Sequence, residues 1–256
     1  MRRPAVRGIN QMIRGRVAAQ GANMIKLPKI KLMDFTDPSE SFLLAVILAA
    51  AGGFLDGYTY IGRGNVFANT QTGNLILLGV NMARGRLAAS ISYIVPVTAF
   101  LLGTYITEKI RIRYGGLKHL GWRQIVVALE ALVLILISFM PHYSDNVANA
   151  MVSFACAMQF DAFRTMNGVP FSSTLSMTNM RGAIEYMTNY REDCDTEKIS
   201  RSFEYLITVL VFTLSVFIGS RLTYKYDDSA VLFPASMLLF GALIMFLKKR
   251  DKTAPA

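Results

Sequence analysis

Residues 41–61 read SFLLAVILAAAGGFLDGYTYI, and residues 64–83, close behind, read GNVFANTQTGNLILLGVNMA. The first stretch is apolar apart from Asp56 and a few small polar side chains, and it matches the ~20 residues that a helix needs to cross ~30 Å of hydrocarbon. The second is uncharged but holds Asn65, Asn69, Thr70, Gln71, Thr72, Asn74 and Asn81. It cannot face lipid, because hydrocarbon offers its amides no hydrogen-bond partners. Together they predict membrane-spanning helices around a polar segment held inside the bundle.

The same pattern extends along the chain. Residues 87–107, 205–220 and 229–247 carry no charge. Residues 122–140 carry only Arg123 and Glu130, and residues 147–163 only Asp161. A second polar segment, residues 165–180, holds Thr165, Asn167, Pro170, Ser172, Ser173, Thr174, Ser176, Thr178 and Asn179. The expectation is an all-α polytopic membrane protein with about six transmembrane helices plus two re-entrant or broken polar segments. The alternative is eight spans, with both polar segments as complete, buried helices.

Composition agrees. Of 256 residues, 53% are hydrophobic and 17% charged, against ~25% charged in an ordinary soluble domain. Mean hydropathy is +0.37, which excludes disorder for most of the chain. The net charge of +10 comes largely from eight Lys and Arg among the first 33 residues, and without them it falls to +2. Residues 1–35 therefore read as a basic, disordered cytoplasmic tail, with anionic lipid headgroups as one candidate partner. The rest carries too little charge for a nucleic-acid binder. Residues 40–145 form a first half of the membrane domain, residues 146–248 a second, and residues 249–256 a cytoplasmic C-terminal tail. Cys156 and Cys194 define neither a disulfide framework nor a zinc site.

Loop charge arbitrates between the two counts. The loop from 108 to 123 carries Lys109, Arg111, Arg113, Lys118 and Arg123, whereas residues 141–146 carry no Lys or Arg. Eight spans put the basic loop outside, against the positive-inside rule. Six spans with two re-entrant segments put it inside with both termini. The two halves also echo each other. Asp56 and Asn74 match Asp161 and Asn179 at an offset of 105 residues. Three spans per half make the halves opposite in orientation, a 3+3 inverted repeat; eight spans make a parallel 4+4 repeat.

The run Gly53-Phe54-Leu55-Asp56-Gly57-Tyr58-Thr59-Tyr60, then Val66-Phe67 and Thr72-Gly73-Asn74-Leu75 with Gly79, resembles the YoaK-type family of bacterial integral membrane proteins, a domain of unknown function. In the second half Gln159, Ala162 and Arg164 are similar to the family's second motif. Asp161 stands there where the family usually has Asn, and Met177 and Thr178 replace the Thr-Gly of its second Thr-Gly-Asn. The resemblance covers residues 40–248. It implies about six spans in a bacterial inner membrane and no established activity.

Candidate functional residues follow from the cost of polarity in lipid, ~2.5–3.5 kcal/mol for an Asp near a helix centre. Asp56 and Asp161 lie beside the polar segments and read as cation- or proton-binding groups; the structural alternative is that each caps the broken segment behind it or pairs locally. Arg164 is the obvious partner of Asp161 at i+3. Glu130 is mid-span with no charge within a turn. Tyr58, Thr72, Gly73, Asn74, Gln159 and Asn179 complete the substrate- or ion-binding set. No motif of a hydrolase, metalloprotease or phosphate loop is present, so the sequence predicts no catalysis, cofactor or metal. The expected function is a secondary transporter or channel-like permease for a small polar solute or ion; the alternative is a non-transporting scaffold or envelope sensor. A homo-oligomer is left open.

Overall fold

The computed structural model describes residues 30, 32, 37–114, 121–174, 176–193 and 195–246. The expected tails, residues 1–35 and 249–256, lie outside the described residues except for Ile30 and Leu32. The described chain is nearly all helical. Helix α1 spans Phe42–Gly62, α2 Gln71–Ala83, α3 Leu87–Tyr114, α4 Trp122–Ile137, α5 Asp145–Ala162, α6 Ser176–Asp193, α7 Thr196–Tyr226 and α8 Leu232–Met245. A two-residue antiparallel ladder, β1 (Thr165–Met166) with β2 (Val169–Pro170), follows α5. Three helical runs are long and apolar enough to cross a membrane: Phe42–Gly62, Leu87–Tyr114 and Thr196–Met245, the last divided by a 3-10 turn at Asp227–Val231. The outside is apolar to match. Leu101, Leu132, Phe217 and Leu243 are each more than half exposed, a surface that a water-soluble monomer rarely shows.

Local chemistry sets the helix ends. The Ser41 hydroxyl accepts the Leu44 N–H and so caps α1. The chain leaves α1 through Arg63, and both Gly64 and Asn65 take positive φ, +84° and +59°, which stops the helix. Neither polar segment is helical throughout. Residues 66–70 and 171–174 are irregular, and helix resumes only at Gln71 and Ser176.

Contacts at the two ends of the bundle fix the helix directions. At one end Arg63, after α1, bonds to Ile137 and Met140 after α4, to Asp145 at the start of α5 and to Asp228 after α7. At the other end Glu40, before α1, meets Arg123 at the start of α4 and Thr165 after α5. There Gln124 also donates to the Met245 carbonyl at the end of α8, and Arg164 bonds Glu108 near the end of α3. Helices α1, α4 and α7 therefore run from the Glu40 end to the Arg63 end, and α3, α5 and α8 run back.

Helix α1 packs on α7, α3 on α5, α2 on α3 and α6 on α7, while α4 contacts α5 and α8, and α8 contacts α1. Exchanging α1 with α5, α2 with α6, α3 with α7 and α4 with α8 maps this set of pairs onto itself. Both large contacts are close. A Cβ on Gly53 or Gly57 would strike the carbonyl oxygens of Phe212 or Val216, and one on Gly103 that of Phe154. Small residues let helix backbones approach where lipid supplies no hydrophobic drive.

Gly53→Val and Gly57→Val are therefore expected to destabilise the protein by about 1–3 kcal/mol. Gly79→Ala, where a Cβ meets nothing within 4 Å, is expected to be neutral or slightly stabilising. Thermal unfolding of the purified variants checks both; equal losses at Gly53 and Gly79 would refute the packing argument.

Candidate functional site

The two polar loops converge at the middle of α1. Asn69 donates from its side-chain amide to the Gly52 carbonyl at 3.1 Å. A Cβ on Gly52 would lie 3.0 Å from the Thr174 methyl and 3.5 Å from the Asn69 amide nitrogen. Gly52 sits ten residues into the 21-residue α1, about 15 Å from either end. Residues 63–69 thus turn back into the bundle from the Arg63 end, and residues 168–174 enter from the Glu40 end. Asn69 and Thr174 are themselves related by the 105-residue offset seen in the sequence.

Each loop is held by a carboxamide in the helix after it. The Asn74 oxygen accepts the Phe67 N–H at 2.9 Å, and its nitrogen donates to the Phe67 carbonyl at 2.8 Å. The Asn179 nitrogen donates to the Ser172 carbonyl at 2.7 Å, and its oxygen accepts the Ser172 N–H at 3.4 Å. Both asparagines are buried and both reach seven residues back. The first loop has a second anchor. Asp56 accepts the Asn69 N–H at 2.7 Å, the Thr70 hydroxyl at 2.6 Å and the Thr70 N–H at 3.4 Å. Thr70 provides no side-chain cap for α2, so the carboxylate of another helix takes that role.

The remaining expected residues divide. Glu130 and Gln159 are buried near this junction, and Gln159 donates to the Ser173 hydroxyl of the second loop at 3.1 Å. Asp161 bonds to Arg164, which also bonds Glu108 at 2.7 Å; this group belongs to the Glu40 end. Tyr58 accepts from the Arg63 guanidinium at 3.0 Å and belongs to the Arg63 end. Thr72 is exposed on α2, and Gly73 leaves room for the Phe67 ring. The structure thus brings Asp56, Asn74, Glu130, Gln159 and Asn179 towards one junction, with Tyr58, Thr72, Asp161 and Arg164 away from it.

Reading the sequence missed Arg63. Its guanidinium is fully buried, ion-paired to Asp145 at 2.8 Å and Asp228 at 2.7 Å, and bonded to the Ile137 and Met140 carbonyls at 3.3 and 3.0 Å. His142 sits above, 3.2 Å from Asp227 and 3.6 Å from Asp145. The signal was an arginine directly after an apolar helix, together with the Asp227-Asp228 pair between two apolar runs. The hydrogen bond to Asp227 and the charge of Asp228 raise the His142 pKa above its ordinary 6.5.

Two predictions follow from these anchors. Asn74→Ala and Asn179→Ala each remove both hydrogen bonds that the side chain makes to the peptide groups of Phe67 or Ser172, with an expected loss of about 2 kcal/mol. Unfolding titrations in detergent check this, and a negligible loss in either variant would show that its loop is held otherwise. A histidine with a raised native pKa contributes stability that is complete below about 6.5 and lost as pH rises through the native value. The unfolding midpoint is thus expected to fall between about pH 6 and 9 in the wild type and to fall less in His142→Asn; parallel curves would refute the coupling.

Residues 44–245 match the model of a family described as "Protein of unknown function (DUF1275)". No curated protein and no solved structure matches the chain. The family match covers α1 almost from its start and extends to the last residue of α8, in accord with the YoaK-type resemblance of the Asp56 and Thr-Gly-Asn motifs. The chain belongs to the DUF1275 family.

Proposed function

We propose that this protein is a six-span membrane transporter or permease for a small polar solute or ion, built as an inverted 3+3 repeat. The observation that carries this reading is the meeting of two polar loops, entering from opposite ends of the bundle, halfway along α1 at Gly52. Irregular backbone at membrane depth is tolerated where it lines a polar cavity or is buried in protein, and transporters place such breaks at repeat interfaces. The opposed directions of equivalent helices support the inversion. Helices α1, α3 and α4 make the first three crossings, and α5, α7 and α8 the second; α2 and α6 return to the end their loops came from.

Charge supports the orientation. Lys109, Arg111, Arg113, Arg123, Arg164, Lys198 and Arg201 lie towards the Glu40 end, against Arg63, Arg84, Arg86, Arg221 and Lys225 towards the other, and the positive-inside rule then makes the Glu40 end cytoplasmic. That puts the Arg63 cluster on the outer face of a bacterial inner membrane. In this reading the outer face is closed by a guanidinium joining α1 and α4 of one half to α5 and α7 of the other. Asp56 supplies charge beside the junction, and Asp161, paired with Arg164, lies towards the Glu40 end.

A second reading has its own support. Asp56, Asn74 and Asn179 are hydrogen-bonded within the protein, as they would be in a scaffold whose polar residues only bind helices together.

One experiment separates the two. Asp56→Asn keeps an acceptor for the Asn69 N–H and a donor for the Thr70 oxygen, so the fold is expected to survive. Proteoliposomes are challenged with a panel of amino acids, sugars, carboxylates and inorganic ions while currents are recorded. Transport predicts a current for at least one solute and a loss of about tenfold or more in Asp56→Asn at unchanged unfolding midpoint. Silence across the panel favours the scaffold, and full current in the variant removes Asp56 from the coupling.

A further inference from the structure

We infer that the junction of the two loops holds one desolvated monovalent cation, with Glu130 as its counter-charge; the inference deepens the transport reading above by naming what is coupled. The polar atoms left over at the junction are all of one kind. Among the described residues, both oxygens of Glu130 meet no donor other than the weak thiol of Cys156, and the side-chain oxygens of Asn69 and Gln159 are buried with no hydrogen-bond partner. All four are acceptors. Glu130, Asn69 and Gln159 are 1%, 3% and 1% exposed. Buried acceptors without donors are costly, and a cation satisfies several at once.

These atoms share one neighbourhood. Cys156 of α5 is buried between them, in contact with the Glu130 carboxyl on one side and the Asn69 side chain on the other. Gln159 stands three residues on, on the same face of α5, and its nitrogen is tied to Ser173 so that its oxygen stays free. Each contributing element is therefore distinct: α4 through Glu130, α5 through Gln159, and the first loop through Asn69. The second loop is fastened to the same spot through Ser173, so a ligand here touches or abuts both polar loops.

Charge balance selects a single positive charge. The other ionisable groups near Glu130 are few. Asp56, behind Asn69, already accepts three hydrogen bonds. Helix α8, packed on α4, carries no ionisable side chain. Asp227 and Asp228, in the 3-10 turn between α7 and α8, are engaged with His142 and Arg63. Arg63 itself is paired with Asp145 and Asp228. Asp56 has no cationic partner either, but its oxygens are occupied by neutral donors; Glu130 is the carboxylate with room for a ligand, and in a low-dielectric interior it calls for one positive charge. A divalent ion would need a second carboxylate with unoccupied oxygens, and among the described residues the other one near the junction, Asp56, has its oxygens taken by the first loop. A sodium ion and a proton share this chemistry, and the measurement below separates them.

The full-length protein in lipid nanodiscs is unfolded thermally in sodium, lithium, potassium and choline chloride at constant ionic strength, each across a range of pH. A native-state ligand raises the midpoint with its concentration. The expected result is a wild-type midpoint that rises with sodium or with proton concentration, and loss of that dependence in Glu130→Gln and its weakening in Asn69→Ala. A sodium effect that grows with pH identifies sodium; a pH effect indifferent to sodium identifies the proton. A midpoint indifferent to all of them, or a dependence that survives in Glu130→Gln, overturns the site. Should the glutamine variant fail to fold, infrared spectra of wild-type protein with ¹³C-labelled glutamate read the carboxyl directly, and a buried-glutamate band unmoved by sodium and by pH overturns the site equally. Cation dependence in a protein that carries no solute current overturns coupled transport and leaves the site standing. Solute currents without cation dependence do the reverse.

Discussion

The carboxylate of Asp56 receives the peptide N–H groups of Asn69 and Thr70 and the hydroxyl of Thr70, and the centre of the molecule is organised around that contact. A helix that begins inside a bundle has free N–H groups that water cannot reach. Left open, each would cost on the order of several kcal/mol in hydrocarbon. Asp56 supplies the missing acceptor from a neighbouring helix, and Asn74 then pins Phe67 by both of its peptide groups. With those positions fixed, the Asn69 amide meets the backbone of α1 at Gly52, beside Cys156 of α5. The absence of a side chain at Gly52 admits Thr174 from the other loop. Loop depth, loop contact and the spacing of the two halves are thus consequences of one acceptor placed six residues before the end of α1.

Much of this was legible in the sequence, and the division follows from physics. Apolar runs encode helices wherever polarity is expensive, and residues 41–61 and 87–107 fall within α1 and α3 almost to the residue. The polarity of residues 64–83 and 165–180 announced buried, partnered amides, as Asn69, Asn74 and Asn179 are. The segments are not withdrawn from the outside as expected: Thr72, Leu75, Ile76 and Met177 are exposed, because each helix turns only its amide face inward. The i+3 spacing of Asp161 and Arg164 announced their ion pair. The partners of Asn74 and Asn179 were not legible, because each is a peptide group, and a peptide group looks the same at every position. The same holds for Arg63: its acids lie in loops far along the chain, so its burial depends on the closure of the whole bundle and not on any local pattern.

The two ends of the bundle are chemically unequal although the helix contacts of one half parallel those of the other. At the Arg63 end one wholly buried guanidinium joins α1, α4, α5 and α7. At the Glu40 end Arg164 is half exposed and shared between Asp161 and Glu108, and Arg123 meets Glu40 only at 3.5 Å. Buried pairs depend strongly on having both partners, whereas exposed ones contribute little. The stronger closure therefore sits at the Arg63 end, and the contacts at the Glu40 end are the ones that water can replace at small cost. In the transport reading this is the asymmetry of a conformer shut on its outer face.

That asymmetry bears on why Glu130 and Asp56 should not be treated as equivalent acids. Asp56 is saturated by donors belonging to its own loop, and moving the loop would break three hydrogen bonds at once. Glu130 meets no donor but the weak thiol of Cys156 and lies beside the buried Val126, Val127, Ala131 and Leu134 of α4. A group that must exchange a ligand cannot also be the group on which the resting architecture hangs, because each exchange would then cost the architecture. The sequence motif drew attention to Asp56, whose bonds make it an anchor. The acid on α4, outside both motifs, is the one with free capacity, and its freedom is visible only once every donor around it has been assigned.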